Sequence, residues 1–296
     1  MQQNYTTNRL QLDILALQNA EFIMELLNTP GWIQFIGDRN ITSKEKATEY
    51  IEKIMANPNV TYWVVSIKDS KTAIGLVTLI KRDYLEHHDI GFAFLPQYNG
   101  KGYALEASAE ILSALTTDPA HTHIVAITLK ENANSINLLK KMGLRFDKEV
   151  IDNGETLLLY SASTDKLIID RLTQNFFGIF TNRNKQPDWG LIRALCLPEA
   201  LIIKKAGDTE TIYNLDTFME PRKKILSDGT LNEFEEKEIR EETTVVGNIA
   251  QRFSNYQKSG YLNGIHFKEY GNKLFQFVKT TAGWKISSVI WEDENK

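Results

Sequence analysis

Apolar and polar positions follow two rhythms along the first half of the chain. Leu10, Leu12 and Ile14 alternate with polar neighbours, the period-two pattern of a half-buried strand. Phe22, Ile23, Leu26 and Leu27 then recur at helical spacing, and Pro30-Gly31 is expected to stop that helix. Thr42-Ser43-Lys44-Glu45 reads as a capping box before a helix carrying Ile51, Ile54 and Met55, closed by Asn57-Pro58. The runs Thr61 to Ile67 and Thr72 to Ile80 flank a short polar turn and predict a hairpin. Asp89 to Leu95 is a further strand. A Gly-rich turn leads into a helix from about Lys101 to Leu115, a strand over His123 to Leu129 and a helix from Asn134 to Met142, with Gly143 where a C-cap glycine belongs. Asp152-Asn153-Gly154-Glu155 predicts a tight hairpin before a last strand over Thr156 to Ala162. The order is mixed α/β, with antiparallel hairpins at both ends of a parallel crossover.

The pattern breaks around Ser163 to Asp165, where a short linker is expected between domains spanning 1–163 and 164–296. The second part opens with an aromatic helix carrying Leu167, Ile168, Leu172, Phe176, Phe177 and Phe180, and a short helix from Asp188 to Leu195. Strands are expected at Ala200 to Lys205, Thr243 to Phe253, Gly264 to Thr280 and Gly283 to Trp291, the last two joined at Thr281-Ala282-Gly283. Helices followed by long antiparallel strands predict an α+β domain whose curved sheet covers the helices. The two halves share no repeat.

Composition narrows the class of protein. The 296 residues are 42% hydrophobic and 24% charged, an ordinary globular balance. With 17 Gly and 7 Pro the chain is neither collagenous nor low-complexity. Residues 1–163 carry 15 basic and 19 acidic side chains, and residues 164–296 carry 19 of each. No overall basic field exists to hold a polyphosphate backbone, so a nucleic-acid partner is disfavoured. The single cysteine, Cys196, makes neither an internal disulfide nor a Cys-based zinc site, which fits a reducing cytoplasm. The first fifteen residues lack the basic and apolar stretches of a secretory signal, and no apolar run approaches the roughly 20 residues that span a bilayer. A cytoplasmic protein without a membrane partner is the expectation.

Chemistry concentrates in Gln97-Tyr98-Asn99-Gly100-Lys101-Gly102-Tyr103-Ala104, between a predicted strand and a predicted helix. Two glycines let backbone take positive φ and approach a ligand closely. The free N–H groups of a helix's first turn, helped by the helix dipole, favour an anion there. The third glycine of a dinucleotide fingerprint is missing, and so is the Gly-Lys-Ser/Thr of a P-loop. Taken alone, the turn is equally compatible with a tight strand-to-helix connection that binds nothing.

Residues 9–160 resemble the GNAT acetyltransferases, in particular the branch acting on ribosomal-protein N-termini and small amines. The resemblance rests on Gln97-x-x-Gly100-x-Gly102 with Tyr103-Ala104-Leu105-Glu106-Ala107 behind it and Asp89 to Phe94 before it. It rests also on Asn132-x-x-Ser135 followed by Leu138 to Phe146. It implies a GNAT fold with a splayed mixed sheet, acetyl-CoA as cosubstrate without a metal, and a primary amine as acceptor, either a small molecule or a protein N-terminus. Phe92, Ala93, Phe94 and Leu95 would offer backbone to the acetyl group and pantetheine. The amides from Gln97 to Ala104 would hold the diphosphate, with Lys101 adding charge, and Asn132 would contact the pantetheine or phosphate region. Backbone donors of this kind stabilise the oxyanion of acyl transfer. Many family members have a tyrosine proton donor four residues after the position of Ser135; here that residue is Leu139. Ser135 then matches a serine donor, against a reading as a helix-start serine bonded locally. Asp89 matches an acidic base, against a solvated carboxylate at a strand end. Glu106 reads as structural.

Other candidates are weaker. His87 and His88 are adjacent on a strand and face opposite ways, so they do not grip one ion. Trp32, Phe35 and Ile36 read as an aromatic loop; the GNAT resemblance implies that it shapes the acceptor site, the alternative being a loop packed on the sheet. Residues 166–295 resemble the nuclear-transport-factor-2-like or SnoaL-like group, through the opening aromatic helix, a helix near Leu215 to Phe218, and the late strands ending at Trp291. That resemblance implies a cone with a pocket, serving substrate selection or homodimer contacts. Asp188, Tyr213, Asp216 and His266 are acid–base candidates by residue type alone. Glu233 to Glu242 reads as a solvated strand face and loop, and Arg222-Lys223-Lys224 as a helix surface. Three activities stay open: acetyl transfer, an acetyl-CoA sensor without turnover, and isomerase or cyclase chemistry in the cone.

Overall fold

The computed structural model describes residues 3–294 and divides the chain into two units, Met1–Thr164 and Asp165–Lys296. The first unit is built on eight strands: β1 (Tyr5–Thr6), β2 (Leu10–Ile14), β3 (Val60–Ile67), β4 (Ala73–Ile80), β5 (His88–Phe94), β6 (His123–Thr128), β7 (Arg145–Asp152) and β8 (Glu155–Ser163). They form one sheet in the order β1-β2-β3-β4-β5-β6-β8-β7, antiparallel except for the parallel β5–β6 pair. The Asn153-Gly154 turn takes positive φ at both residues, matching the twist of a two-residue hairpin between β7 and β8.

Among the described residues five α-helices accompany these strands: α1 (Ala20–Leu27), α2 (Pro30–Phe35), α3 (Lys44–Ala56), α4 (Tyr103–Leu115) and α5 (Ala133–Lys141). Near-continuous burial along β3 and β4 marks them as central strands covered on both faces. Ile23, Leu26 and Leu27 of α1 and Ala47 and Ile51 of α3 close one core with Tyr62, Val64 and Leu76 of the sheet. Pro30-Gly31 does more than stop α1. Thr29 accepts from Trp32 N–H at 3.4 Å and caps a new helix, in which Pro30 occupies a first-turn position that needs no N–H. The expected aromatic loop is therefore helix α2. The cap of α3 is Ser43, one residue later than the capping-box reading placed it, accepting from Lys46 N–H at 3.3 Å.

The linker expected at Ser163 to Asp165 is not a loop. Strand β8 ends at Ser163 and helix α6 (Thr164–Gly178) begins at the next residue. Thr164 is tied down by donating both its N–H and its hydroxyl to the Thr122 carbonyl, at 2.9 and 3.2 Å.

The second unit continues with α7 (Leu191–Leu195), β9 (Cys196–Ala206), β10 (Thr209–Tyr213), α8 (Leu215–Ser227), β11 (Leu231–Val246), β12 (Ile249–Leu262), β13 (Ile265–Thr280) and β14 (Gly283–Asp293). The sheet order is β10-β9-β14-β13-β12-β11. It curls around a core of Phe176, Phe177, Phe218, Phe275, Phe277 and Trp284. Register shifts in β11 help it bend. The single strand expected over Thr243 to Phe253 is a hairpin: Gly247, at φ 58°, turns β11 into β12. The charge run Glu233 to Glu242 is strand throughout, and β10 and the first half of β11 escape a hydrophobicity reading because polar residues dominate them. Among the described residues no helix is long and apolar enough to cross a membrane.

Candidate functional site

The site of the first unit begins with a failure of pairing. Strand β5 is bonded along its length to β4, from Ile80↔Asp89 to Gly75↔Phe94. Its other edge pairs with β6 only at His88↔Ile124 and Asp89↔Val125, after which the two parallel strands diverge. Leu95 donates its N–H to the Ile74 carbonyl at 2.9 Å, toward β4. Alternation along an extended strand then turns the N–H groups of Phe92 and Phe94 away from β4, into the gap. The Leu95 amide is thus already used, although the sequence reading offered it to the acetyl group and pantetheine. Gly75 accommodates this geometry, since a Cβ there would lie 2.3 Å from the Phe94 ring.

The gap opens into a cleft of about 850 Å³ lined by Gly91 to Phe94, by Tyr98 to Gly100, by Gly102 to Leu105, and by Asn132, Ser135 and Leu138. Within the turn, Tyr98 and Asn99 donate their N–H groups to Leu95 and Pro96 carbonyls at 3.0 and 3.1 Å, so those two amides are not free for a phosphate. The amides of Gly100, Lys101, Gly102, Tyr103, Ala104 and Leu105 have no acceptor among the described residues. Gly100 and Gly102 stand at φ 75° and 80°, where a side chain is strained, and Gly100 has open space beside it. The α4 N-terminus contributes the positive end of its dipole. A bare, concave run of donors of this kind fits a diphosphate.

Glu106 anchors the turn from behind. It accepts from the Thr7 hydroxyl at 2.5 Å, from Arg9 N–H at 2.9 Å and from Arg9 Nε at 2.6 Å. Partial burial raises its pKa, but these bonds outweigh burial and hold the carboxyl below the usual range. Arg9 also donates to the Lys101 carbonyl at 3.1 Å and stacks 4.5 Å from the Tyr103 ring centre.

Asp89 is 3% exposed and far from the solvated strand-end carboxylate. One oxygen accepts from Arg82 Nε at 2.7 Å and the other from Ile127 N–H at 3.3 Å. Burial pushes its pKa up, against the pull of Arg82. Asn132 caps α5 by accepting from Ser135 N–H at 3.1 Å, while the Ser135 side chain borders the cleft. Leu139, where a tyrosine donor would stand, is buried in the core.

Several lining residues were silent in the sequence. Arg39, Thr78, Arg82, Asp152 and Glu155 face the same cleft. Tyr62 and Tyr50 meet hydroxyl to hydroxyl at 3.5 Å, and burial pushes the Tyr62 phenol well above its ordinary range. Asp152 accepts from Tyr84 at 2.8 Å. Asp152 and Glu155 flank an Asn-Gly turn, and the turn was their whole visible signal. Trp32 lines the cleft with its Nε1 buried and without a partner. The histidines pair off elsewhere: His87 stacks on His123 at 4.9 Å, and His88 meets His121 edge-on at 4.7 Å.

The second unit holds a separate cavity of about 750 Å³. Tyr213 is on its wall. The other three acid–base candidates are not: Asp188 and His266 are exposed, and Asp216 is at the surface in an ion pair with Arg193. The ionisable groups that do reach the cavity include Glu236 and Lys273, paired at 2.6 Å, and Lys258 with Asp293, also at 2.6 Å. Arg222 is half-buried and not a fully solvated helix surface; it lies over the Phe218 ring at 3.7 Å.

Residues 9–145 match the Acetyltransferase (GNAT) domain family. A Bacillus subtilis (strain 168) protein described as the uncharacterized N-acetyltransferase YnaD is 27% identical over 152 residues, 50% of this chain and 88% of its own. A second from the same organism, the uncharacterized N-acetyltransferase YoaA, is 27% identical over 149 residues, 48% of this chain and 82% of its own. In fold, the chain is similar to a GCN5-related N-acetyltransferase from Brucella melitensis, at TM-score 0.51 and 13% identity over 59% of this chain and 85% of that one. With the divergent strands and the bare amide turn falling inside the matched segment, residues 9–145 are an acetyltransferase domain of the GNAT family, and the chain is an acetyl-CoA-dependent acyltransferase.

Proposed function

We propose that the first unit moves the acetyl group of acetyl-CoA directly onto a primary amine. The observation that carries this is the run of unbonded amides from Gly100 to Leu105, continuous through one cleft with the open edge of β5. The diphosphate lies on the turn and the pantetheine follows the gap between β5 and β6. The thioester carbonyl then meets the Phe92 and Phe94 N–H groups. As the amine attacks, negative charge grows on that oxygen and these donors stabilise it, each worth about 3 kcal/mol. The ammonium first gives one proton to water; after attack the tetrahedral intermediate collapses with loss of the CoA thiolate, which takes a proton from the Ser135 hydroxyl, and the second proton of the amine nitrogen restores that hydroxyl through water.

The acceptor enters from the end bordered by Trp32, Asp152 and Glu155, whose carboxylates favour a cationic amine. Asn132, engaged as the α5 cap through its oxygen, offers its amide nitrogen to the pantetheine. In this reading Asp89 holds the two strands at their branch point and is not the base. The domain limits are 1–163 and 164–296. The second unit is a nuclear-transport-factor-2-like accessory domain; its exposed Leu201, Leu274 and Ile290 support a homodimer contact there. The buried lone thiol of Cys196 supports a cytoplasmic setting.

The test is release of free CoA thiol from acetyl-CoA over a panel of polyamines, aminoglycosides and peptide N-termini, with mass spectrometry of the acceptor. An acetylated amine supports the reading. Tight acetyl-CoA binding with no product from any acceptor supports the sensor instead, a reading that the buried Leu139 favours.

A further inference from the structure

The cavity of the second unit is unequal in its charges. Its lining carries four cationic side chains, Lys204, Arg222, Lys258 and Lys273, against three carboxylates, Glu236, Glu269 and Asp293. The lysines are matched. Lys273 pairs with Glu236 at 2.6 Å, Lys258 with Asp293 at 2.6 Å and Glu269 at 3.3 Å, and Lys204 approaches Asp293 at 3.8 Å.

Arg222 is the cation left over. Among the described residues no carboxylate comes within ion-pair distance of it. Its Nη1 donates to the Phe218 carbonyl of its own helix at 2.7 Å. The guanidinium is otherwise boxed by ring faces, at 3.7 Å from the Phe218 centre, 5.5 Å from Trp291 and 5.6 Å from Tyr213. Ring faces attract a cation but do not replace the charged hydrogen bonds of its fork. Burial lowers the Arg222 pKa to about 10, against the pull of Tyr213, Glu236 and Asp293. A guanidinium in this state offers planar, paired donors to a ligand.

The rest of the wall says what body the ligand has. Phe176, Phe180, Phe234 and Phe267 continue the aromatic surface from Trp291. A cavity of about 750 Å³ is in the range of small-molecule sites. Aromatic rings pack by offset or edge-on contact with other rings, which favours a flat ligand over a flexible chain.

We propose that the second unit binds a small aromatic monocarboxylate, its carboxylate forked onto Arg222 and its ring system against the Phe218–Trp291 wall. This rests on the reading of that unit as a pocket-bearing domain. It does not depend on acetyl transfer, so the two fail separately.

The experiment is calorimetric titration of the full chain with 2-naphthoate, its neutral amide 2-naphthamide, and octanoate. The expected result is one saturable 2-naphthoate site that competes with no CoA ligand. The amide and octanoate are expected to bind at least tenfold more weakly. Arg222→Met should weaken 2-naphthoate about 10- to 100-fold and leave 2-naphthamide unchanged. Equal binding of acid and amide by the wild-type protein would overturn the anion assignment without reference to any variant. Tighter binding of octanoate overturns the aromatic assignment. Binding of none of the three overturns the pocket reading itself, while thiol release from acetyl-CoA reports separately on the first unit.

Discussion

Gly102 gives the sharpest test of the phosphate turn, because two substitutions there separate fold from binding. Its φ of 80° is left-handed, and an ideal Cβ would meet only Arg9 Nη2, at 3.4 Å. That neighbour is the far end of a flexible chain and moves cheaply. Gly102→Ala therefore costs mainly the left-handed backbone, about 1–2 kcal/mol of folding stability. The backbone stays in place in this variant, so free and CoA-bound protein bear the same cost and affinity should change little. Gly102→Glu bears that backbone cost and also adds a carboxylate at the head of the amide run, its Cβ beside Arg9 Nη2. Taking one charge against two at about 6 Å, with an effective dielectric near 40, the repulsion is about 3 kcal/mol. At 1.4 kcal/mol per decade, that is a loss of about 100-fold in CoA affinity. Calorimetry for CoA and urea unfolding, run on both variants, supply the two readouts. If folded Gly102→Glu binds CoA within threefold of wild type, the turn is not where the diphosphate lies. Salt adds a check: the penalty should shrink as ionic strength rises, because the turn is open to solvent.

Three further outcomes follow from the same geometry. Ser135→Ala should lower kcat by about 100-fold or more and leave CoA affinity unchanged, since the cap of α5 uses the Ser135 backbone N–H and not the hydroxyl; an unchanged kcat across the pH range removes Ser135 from proton transfer. Burial lowers the pKa of His87, His88 and His121, so the unfolded chain takes up protons that the folded one resists as pH falls through about 6.5. The stability of the first unit is then full above pH 7 and declines below 6.5, and urea midpoints in His121→Gln should show a shallower decline. In the second unit, Arg252 is 3% exposed and joins Asp170, Glu238 and Glu241. Arg252→Leu removes the cation these carboxylates share, leaving Glu238 with the Ser254 hydroxyl while Asp170 and Glu241 keep Lys166, and should destabilise that unit by about 3–5 kcal/mol, read from its unfolding transition.

What the sequence disclosed, and what it hid, follow from how far each signal reaches. Strands β2 to β6 and β8 and helices α3, α4 and α5 announce themselves because apolar period, caps and turn residues all agree over short windows, whereas the two-residue β1 and the largely exposed β7 carry no such period. The Gly100-Gly102 turn is legible for the same reason: it needs two glycines close together between a strand and a helix. Helix α2 was hidden because Pro30-Gly31 is as good a start as a stop, and the Thr29 cap that decides it is one ordinary threonine. Strand β11 was hidden by its charges, which face partners on other elements; Glu236 meets Lys273 of β13, and Glu238 meets Arg252 of β12. Asp152 and Glu155 show only as the flanks of an Asn-Gly turn, with nothing local to place them at the cleft, and the Arg222 cavity is assembled from residues distant in sequence. His266 and Asp216 stood out by residue type, yet the fold leaves both at the surface.

Asp89 shows how the surroundings of a residue can favour a task other than the one its type suggests. Its position on β5, one residue into the strand, made it a plausible base. The structure gives it two obligations instead, to Arg82 and to the Ile127 N–H across the gap. Ile127 is two residues past Val125, the last β6 residue that pairs with β5. The Asp89 carboxylate therefore takes over the donor that strand pairing would otherwise have satisfied, just where pairing stops. A buried N–H left without an acceptor there would cost about 1–3 kcal/mol. By accepting it through a side chain, the protein lets β6 leave β5 without that cost. The divergence exposes the Phe92 and Phe94 amides and opens the cleft. In the proposed acetyl transfer the service of Asp89 is then to make the gap stable.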